Sequence, residues 1–266
     1  MKNFKFLVEV DLKKIEKHLC DLFNINNDVL NDLNAFLLGN SKRIRSLVAL
    51  LYLKMNEKSI SESVINLLSA GEIIHNASLL HDDVIDNAEC RRGYVTMSHK
   101  FNSKISILSG DLLLSYAVNY LSSLENRDIL NIFINATKLM SEAEINQYIK
   151  RNNDIKIQEY LQIIYGKTAS LFESIIKSCA ILTNLDIEKA GEFGKLFGLL
   201  FQINNDMSED SIKNDRINGV KTSVDIVGIE KTNALKDNYK EKVRAILEKM
   251  PDNDYKMALK DLVNSL

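Results

Sequence analysis

Pro251 is the only proline in 266 residues, and just ten glycines accompany it. A β-rich chain of this length needs far more turn punctuation than that. Apolar residues recur instead at spacings of three and four, as in SVINLLSAGEIIHNASLLHDDVID (63–86) and GEFGKLFGLLFQI (191–203). That period marks amphipathic helices. The chain therefore reads as nearly all-α, one domain over residues 1–266, with helices joined by short loops. No repeat or low-complexity linker divides it.

Apolar residues make up 45% of the chain, enough to bury a large core. A net charge of -2 provides no global field to attract nucleic acid or an anionic membrane surface, so neither is an expected partner. Cys20, Cys90 and Cys179 lack metal-type spacing and suit a reducing cytoplasm. The N-terminal stretch MKNFKFLVEVDLKKIEKHL has no long apolar core, so no signal peptide is expected. No apolar run approaches the roughly 18 residues of a transmembrane segment.

Residues 79–93, LLHDDVIDNAECRRG, carry the most anomalous charge pattern. On a helix, Asp82 and Asp86 lie one turn apart on the same face, with Asp83 beside them. Like charges that close are unfavourable unless a cation intervenes. Hard carboxylate oxygens suit Mg²⁺, which takes few protein ligands and keeps positions for water and substrate phosphates. Arg91 and Arg92 downstream are then natural phosphate clamps, because guanidinium grips phosphate oxygens in a fork. A solvated acidic helix end followed by a basic turn is the plainer alternative.

A second basic cluster, Lys42, Arg43 and Arg45, opens a long apolar stretch after Gly39-Asn40-Ser41. Basic groups at a helix N-terminus oppose the dipole, and they make sense if an anion also sits there; a surface patch is the alternative. His75 lies two turns before Asp82 on the same helix, either facing with the acids or satisfied in the core. Farther on, YGKTASLFE places Lys167 and Thr168 in a helical stretch, and GLLFQINNDMSEDSIKND supplies Gln202, Asn205, Asp206, Glu209 and Asp210.

Together these segments resemble the trans-isoprenyl diphosphate synthases, all-α prenyltransferases that elongate allylic diphosphates with isopentenyl diphosphate. The likeness runs from about Lys42 to Thr222. HDDVIDNAECRRG resembles the first aspartate-rich motif and NSKRIRS the family's GGKRxRP. Gly110-Asp111 is similar to its GD, AEINQ (with Glu144 and Gln147) to GExxQ, KTASLF to KTAxLF, and FQINNDMSE to FQxxDDxxD. The resemblance implies a helical bundle around a central cavity and residue roles within it. Asp82 and Asp86 would hold Mg²⁺ against the allylic diphosphate, and Asp206 would be a further metal ligand. Arg91, Lys167 and Thr168 would hold the same diphosphate. Lys42, Arg45, His75 and Arg92 would bind isopentenyl diphosphate, with Gln202 and Lys221 near the substrates. It also implies a homodimer, for which ISILSGDLLLSYAVNYL (105–121) is a candidate contact or else a buried core helix.

The second acidic motif departs from the pattern. Asn205 replaces its first aspartate, Glu209 stands third, and the following loop is short, with Asp215 a possible substitute. A non-catalytic partner subunit of a heteromeric synthase is therefore one alternative. A terpene cyclase is another, although NNDMSED fails the spacing of the NDxxSxxxE motif. Ala77 and Ser78, one turn before Asp82, leave room for a growing chain and suggest a medium- or long-chain product, unless they merely allow close helix packing. Tyr116 or Tyr120 could close such a tunnel farther down.

Overall fold

The computed structural model describes residues 4–23, 27–39 and 41–266, and these divide into two compact units. The first unit comprises Lys5–Leu50 and Ile60–Leu130; the second holds Leu51–Ser59 and Asn131–Leu266. Each is helical. The only strands among the described residues are two-residue partners in one hairpin, so the all-α expectation is met.

The first unit is built from α1 (Glu9–Cys20), α2 (Asp28–Leu38), the start of α3 (Ile44–Met55), α4 (Glu62–Ile85), α5 (Met97–Lys100) and α6 (Ser103–Ser122). Helix α4 is buried on nearly every side between Val64 and Ala77, which explains its broad apolar pattern. It starts where the Ser61 side chain accepts from the Val64 amide, a standard N-cap. Helix α6 lies along it. Gly110 faces the His81 ring there, and a Cβ in its place would force that side chain to move aside. The Ser106 hydroxyl donates to the Leu80 carbonyl (2.9 Å) and adds a polar tie.

After α4 the chain reverses through β1 (Cys90–Arg91) and β2 (Tyr94–Val95). Arg92 (φ 54°) and Gly93 (φ 85°) form its two-residue turn. Both central residues of such a turn need positive φ, which glycine supplies at no steric cost and arginine does not.

The second unit contains the end of α3, α7 (Arg127–Ile149), α8 (Ile157–Ile164), α9 (Ser170–Thr183), α10 (Ile187–Asp206), α11 (Glu209–Ile217), α12 (Ser223–Val227), α13 (Ile229–Glu248) and α14 (Asp254–Ser265); α7 begins in the first unit. Helices α9 and α10 pack side by side, with Phe172, Phe193 and Phe197 at their centre and Tyr52 stacked on Phe193 at 4.9 Å. Pro251 falls between α13 and α14, where its missing amide breaks no helix. Between α8 and α9, Tyr165–Ala169 winds as one π-helical turn. Such turns frequently mark functional positions, and this one carries Lys167 and Thr168.

Candidate active site

In the first unit, the last turn of α4 sorts its three aspartates by rotation. Asp83 turns inward, fully buried, and its Oδ1 accepts from Arg91 Nε at 2.5 Å. Asp82 and Asp86 stay half-buried on the neighbouring face, one turn apart. Burial pushes the Asp83 carboxyl up, and the charge and hydrogen bond of Arg91 oppose that shift. Arg91, to which the resemblance gives a diphosphate role, is also the group that neutralises Asp83.

The basic cluster is largely desolvated. Arg43 and Arg45 are 3% and 7% exposed. Glu72, itself 1% exposed, anchors them: its Oε2 lies 3.4 Å from Arg43 Nη1, and its Oε1 accepts the Ser46 hydroxyl at 2.7 Å. Arg43 also donates to the Leu37 carbonyl at 2.5 Å and adopts φ 50°. Its Nε is buried without a hydrogen-bond partner. Burial lowers the Arg45 guanidinium to about 10, with Glu72 opposing and Arg92 adding to the shift. His75 is held well below the usual imidazole range, first by burial and then by Arg45, Arg92, Arg91 and Arg43. Lys42 is exposed at the start of this segment, and Asn40 of the preceding turn lies outside the described residues. A crowd of cations that depress one another is suited to receive an anion.

The second unit carries the other polar network. Lys167 Nζ pairs with the Glu144 carboxylate and donates to Gln147 Oε1 at 2.5 Å. The Thr168 hydroxyl donates to Gln202 Oε1 (2.8 Å), and Gln202 Nε2 donates to Asp206 Oδ1 (2.6 Å). The other Asp206 oxygen accepts from Tyr160 Oη at 2.6 Å. Burial drives the Asp206 carboxyl up to about 7, with the Asp215 charge adding to the rise and Tyr160, Gln202 and Lys167 resisting it. Lys221 lies 3.2 Å from the exposed Asp154 rather than in this network. Thr168 spends its one proton on Gln202, so Lys167 is the donor this turn offers to an anion.

The structure thus brings Asp82 and Asp86 onto one face, gathers Arg43, Arg45, His75, Arg91 and Arg92 in the first unit, and links Thr168, Gln202 and Asp206 in the second. Glu144 and Gln147, first noticed only through the resemblance, acquire a physical role as partners of Lys167. Sequence reasoning passed over Glu72 and Tyr160. Glu72 was findable, as the only carboxylate between Val64 and Leu80. Tyr160 carried no such signal, because a tyrosine on an apolar helix face reads as core.

Among the described residues, no three His, Cys, Asp or Glu side chains gather tightly enough to hold an ion alone. Mg²⁺ does not require that; one or two carboxylates plus phosphate oxygens suffice. The donor pair Asp82 and Asp86 fits this chemistry. Asp206 fits it less well: it is 6% exposed, and both of its oxygens are held by protein donors, Tyr160 and Gln202.

The polyprenyl synthetase family pattern matches residues 27–260. A prenyl transferase of Cyanidium caldarium is 34% identical over 223 residues, covering 81% of this chain and 69% of the relative. A decaprenyl-diphosphate synthase of Dictyostelium discoideum is 38% identical over 188 residues, 70% of this chain; the match spans 41% of that longer protein. A heptaprenyl diphosphate synthase structure from Staphylococcus aureus superposes with a TM-score of 0.89 at 24% identity, covering 97% of this chain and 96% of the other, and so shares the fold. With a family match across most of its length and a relative so closely similar, this chain belongs to the polyprenyl synthetase family.

Proposed function

We propose that the chain is a Mg²⁺-dependent prenyltransferase that condenses isopentenyl diphosphate with an allylic diphosphate to make a linear, medium- or long-chain polyprenyl diphosphate. The observation that carries this reading is the pairing of two half-buried carboxylates, one turn apart on a helix, with a buried cation cluster in the same unit. Asp82 and Asp86 would hold Mg²⁺, which supplies charge neutralisation for a departing diphosphate. Arg45, His75 and Arg92, with Lys42 at the rim, offer fixed positive charge for the second diphosphate. The resemblance gives Lys167 a diphosphate-binding role as well. No Ser-His-Asp or Cys-His arrangement is needed, because ionisation leaves a carbocation that the isopentenyl double bond attacks. The proton is then lost to the released pyrophosphate.

Small residues support the longer product. Ala77 is fully buried, and Ser78 turns its hydroxyl back onto the His75 carbonyl at 2.8 Å, so neither projects bulk. Tyr116 packs edge-on against Phe23 (5.6 Å) and Tyr120 stacks on His18 (5.8 Å), where they could end a tunnel. The relatives named for decaprenyl and heptaprenyl products point the same way. A homodimer is part of the proposal: α6 exposes Ile107, Leu108, Leu112 and Val118, an apolar stripe suited to a second copy. No helix among the described residues is long and apolar enough to cross a membrane, and the free cysteines suit the cytoplasm.

The buried Asp206 favours one second reading, a catalytically silent subunit of a heteromeric synthase. A product assay separates the two. The purified chain receives Mg²⁺, labelled isopentenyl diphosphate and, in separate reactions, dimethylallyl, geranyl, farnesyl or geranylgeranyl diphosphate. An elongated linear product is expected, and Asp82→Ala should reduce the rate by about a hundred- to a thousandfold, the scale of a lost electrostatic stabiliser. A folded chain that elongates no primer would establish the silent-subunit reading instead.

A further inference from the structure

Asn205, Asp206 and Glu209 occupy the places where the resemblance implies three metal-binding carboxylates. The segment departs from that pattern. Asn205 is neutral. Asp206 is 6% exposed, with both oxygens committed at 2.6 Å to Tyr160 and Gln202. Helix α10 ends at Asp206, and Glu209 opens a new helix after the Ser208 cap, leaving Glu209 and Asp210 exposed in its first turn.

We propose that this segment is not a metal site but a hydrogen-bonded strut, Tyr160–Asp206–Gln202–Thr168, which fixes the π-helical turn presenting Lys167, with Tyr160 as a positioning residue outside every motif. The geometry suits the task. Tyr160 comes from α8, just before the turn, and Asp206 and Gln202 from the last turn of α10. The Gln202 amide donates to the Asp206 carboxylate through its nitrogen and accepts from the Thr168 hydroxyl through its oxygen, so one side chain bridges the two. A carboxylate accepts at both ends, so Asp206 can clamp Gln202 and Tyr160 together. A π turn leaves backbone groups out of the α-helical ladder. Side-chain bonds at Thr168, together with the Ser170 hydroxyl on the Gly166 carbonyl (2.6 Å), supply compensating ties. The bulk of Lys167 is held from another direction by Glu144 and Gln147. Removing the Tyr160 hydroxyl would free one Asp206 oxygen and loosen the chain at its far end, without touching any cation.

This inference assumes the diphosphate chemistry proposed above, but its test needs no turnover. Mn²⁺ bound per chain is counted by electron paramagnetic resonance, with inorganic pyrophosphate present, for the unmodified chain and for Asp82→Ala, Asp206→Asn, Tyr160→Phe and Thr168→Val. Pyrophosphate affinity and thermal stability are measured on the same samples. Asp206→Asn should bind as many ions as the unmodified chain, whereas Asp82→Ala should bind fewer. Tyr160→Phe should keep the ion count and weaken pyrophosphate about tenfold, the scale of one lost hydrogen bond to a charged group. Loss of an ion in Asp206→Asn would overturn the strut in favour of a metal site. Unchanged pyrophosphate affinity in Tyr160→Phe would reduce Tyr160 to a core residue, even if its thermal stability fell. Should Tyr160→Phe fail to fold, Thr168→Val breaks the same chain at its other end and is judged by the same two readouts. An inactive chain that gives these binding results would sink the enzyme reading and leave the strut standing.

Discussion

Asp206→Asn offers the sharpest test of the burial argument, because its consequence is a slope and not a single number. The Asp206 carboxyl stands at about 7 in the folded protein, against an ordinary value of about 3.9 in an unfolded chain. Between those values the folded state holds a proton that the unfolded state has released. Raising the pH therefore favours unfolding across that window, and the effect levels off above about pH 7. Three units at about 1.4 kcal/mol each amount to roughly 4 kcal/mol over the whole window. From pH 5 to pH 8 the same linkage gives roughly 2–3 kcal/mol. The cause is burial at 6% exposure with Asp215 nearby, only partly offset by Tyr160, Gln202 and Lys167.

Asparagine cannot ionise, so the variant loses this component while keeping an oxygen for one of the two donors. Urea unfolding followed by circular dichroism at pH 5, 6, 7 and 8 measures both proteins on one scale. The stability difference between the natural chain and Asp206→Asn should shift by roughly 2–3 kcal/mol in the variant's favour from the lowest to the highest pH. Parallel pH profiles would refute the reasoning, since they would mean that Asp206 titrates where an exposed carboxylate does. Asp215→Asn supplies an internal check: removing a neighbouring negative charge should move the midpoint of the slope to lower pH.

Three further expectations follow from individual contacts. Glu72→Ala strands Arg43, which is 3% exposed and already has one unpartnered nitrogen; breaking a buried pair costs about 3–5 kcal/mol, and a loss below about 1 kcal/mol in denaturant titration would show that water reaches the guanidinium. Gly166→Ala should destabilise the π turn, because its new Cβ would fall 2.6 Å from the Ala143 Cβ and 2.9 Å from the Leu139 carbonyl. Adding Ala143→Gly relieves only the first clash, so thermal unfolding should show partial recovery, and full additivity of the two changes would contradict the contact. His75, depressed by burial and four arginines, destabilises the fold as pH falls below the ordinary imidazole value of about 6.5, since protonation then favours the unfolded chain. Pyrophosphate bound among those arginines should raise the His75 midpoint in an NMR titration, and an unmoved midpoint would place the anion elsewhere.

The helices were legible because their period is long and uninterrupted, and the aspartate cluster because three acids on an apolar helix demand an explanation. The two compact units were not legible. Two of the boundaries, Leu50–Leu51 and Leu130–Asn131, fall inside α3 and α7, where no glycine, proline or polar linker marks a division, and only the one at Ser59–Ile60 falls in a loop between helices. The π turn was equally hidden, since its extra residue changes rotation without changing composition. The deeper obstacle lies in what absorbs a charge. Asp82 and Asp83 are chemically identical neighbours, yet a rotation of about 100° sends one of them onto Arg91 and leaves the other half-exposed. Asp206 ends an equally apolar helix, and by local pattern it belongs with Asp82. What separates them is Tyr160, 46 positions away in the chain, and Gln202, whose amide could have pointed anywhere. An acid at the end of an apolar helix therefore announces that something must answer its charge. Whether the answer is a metal ion or two neutral donors is decided by residues that the local motif does not contain.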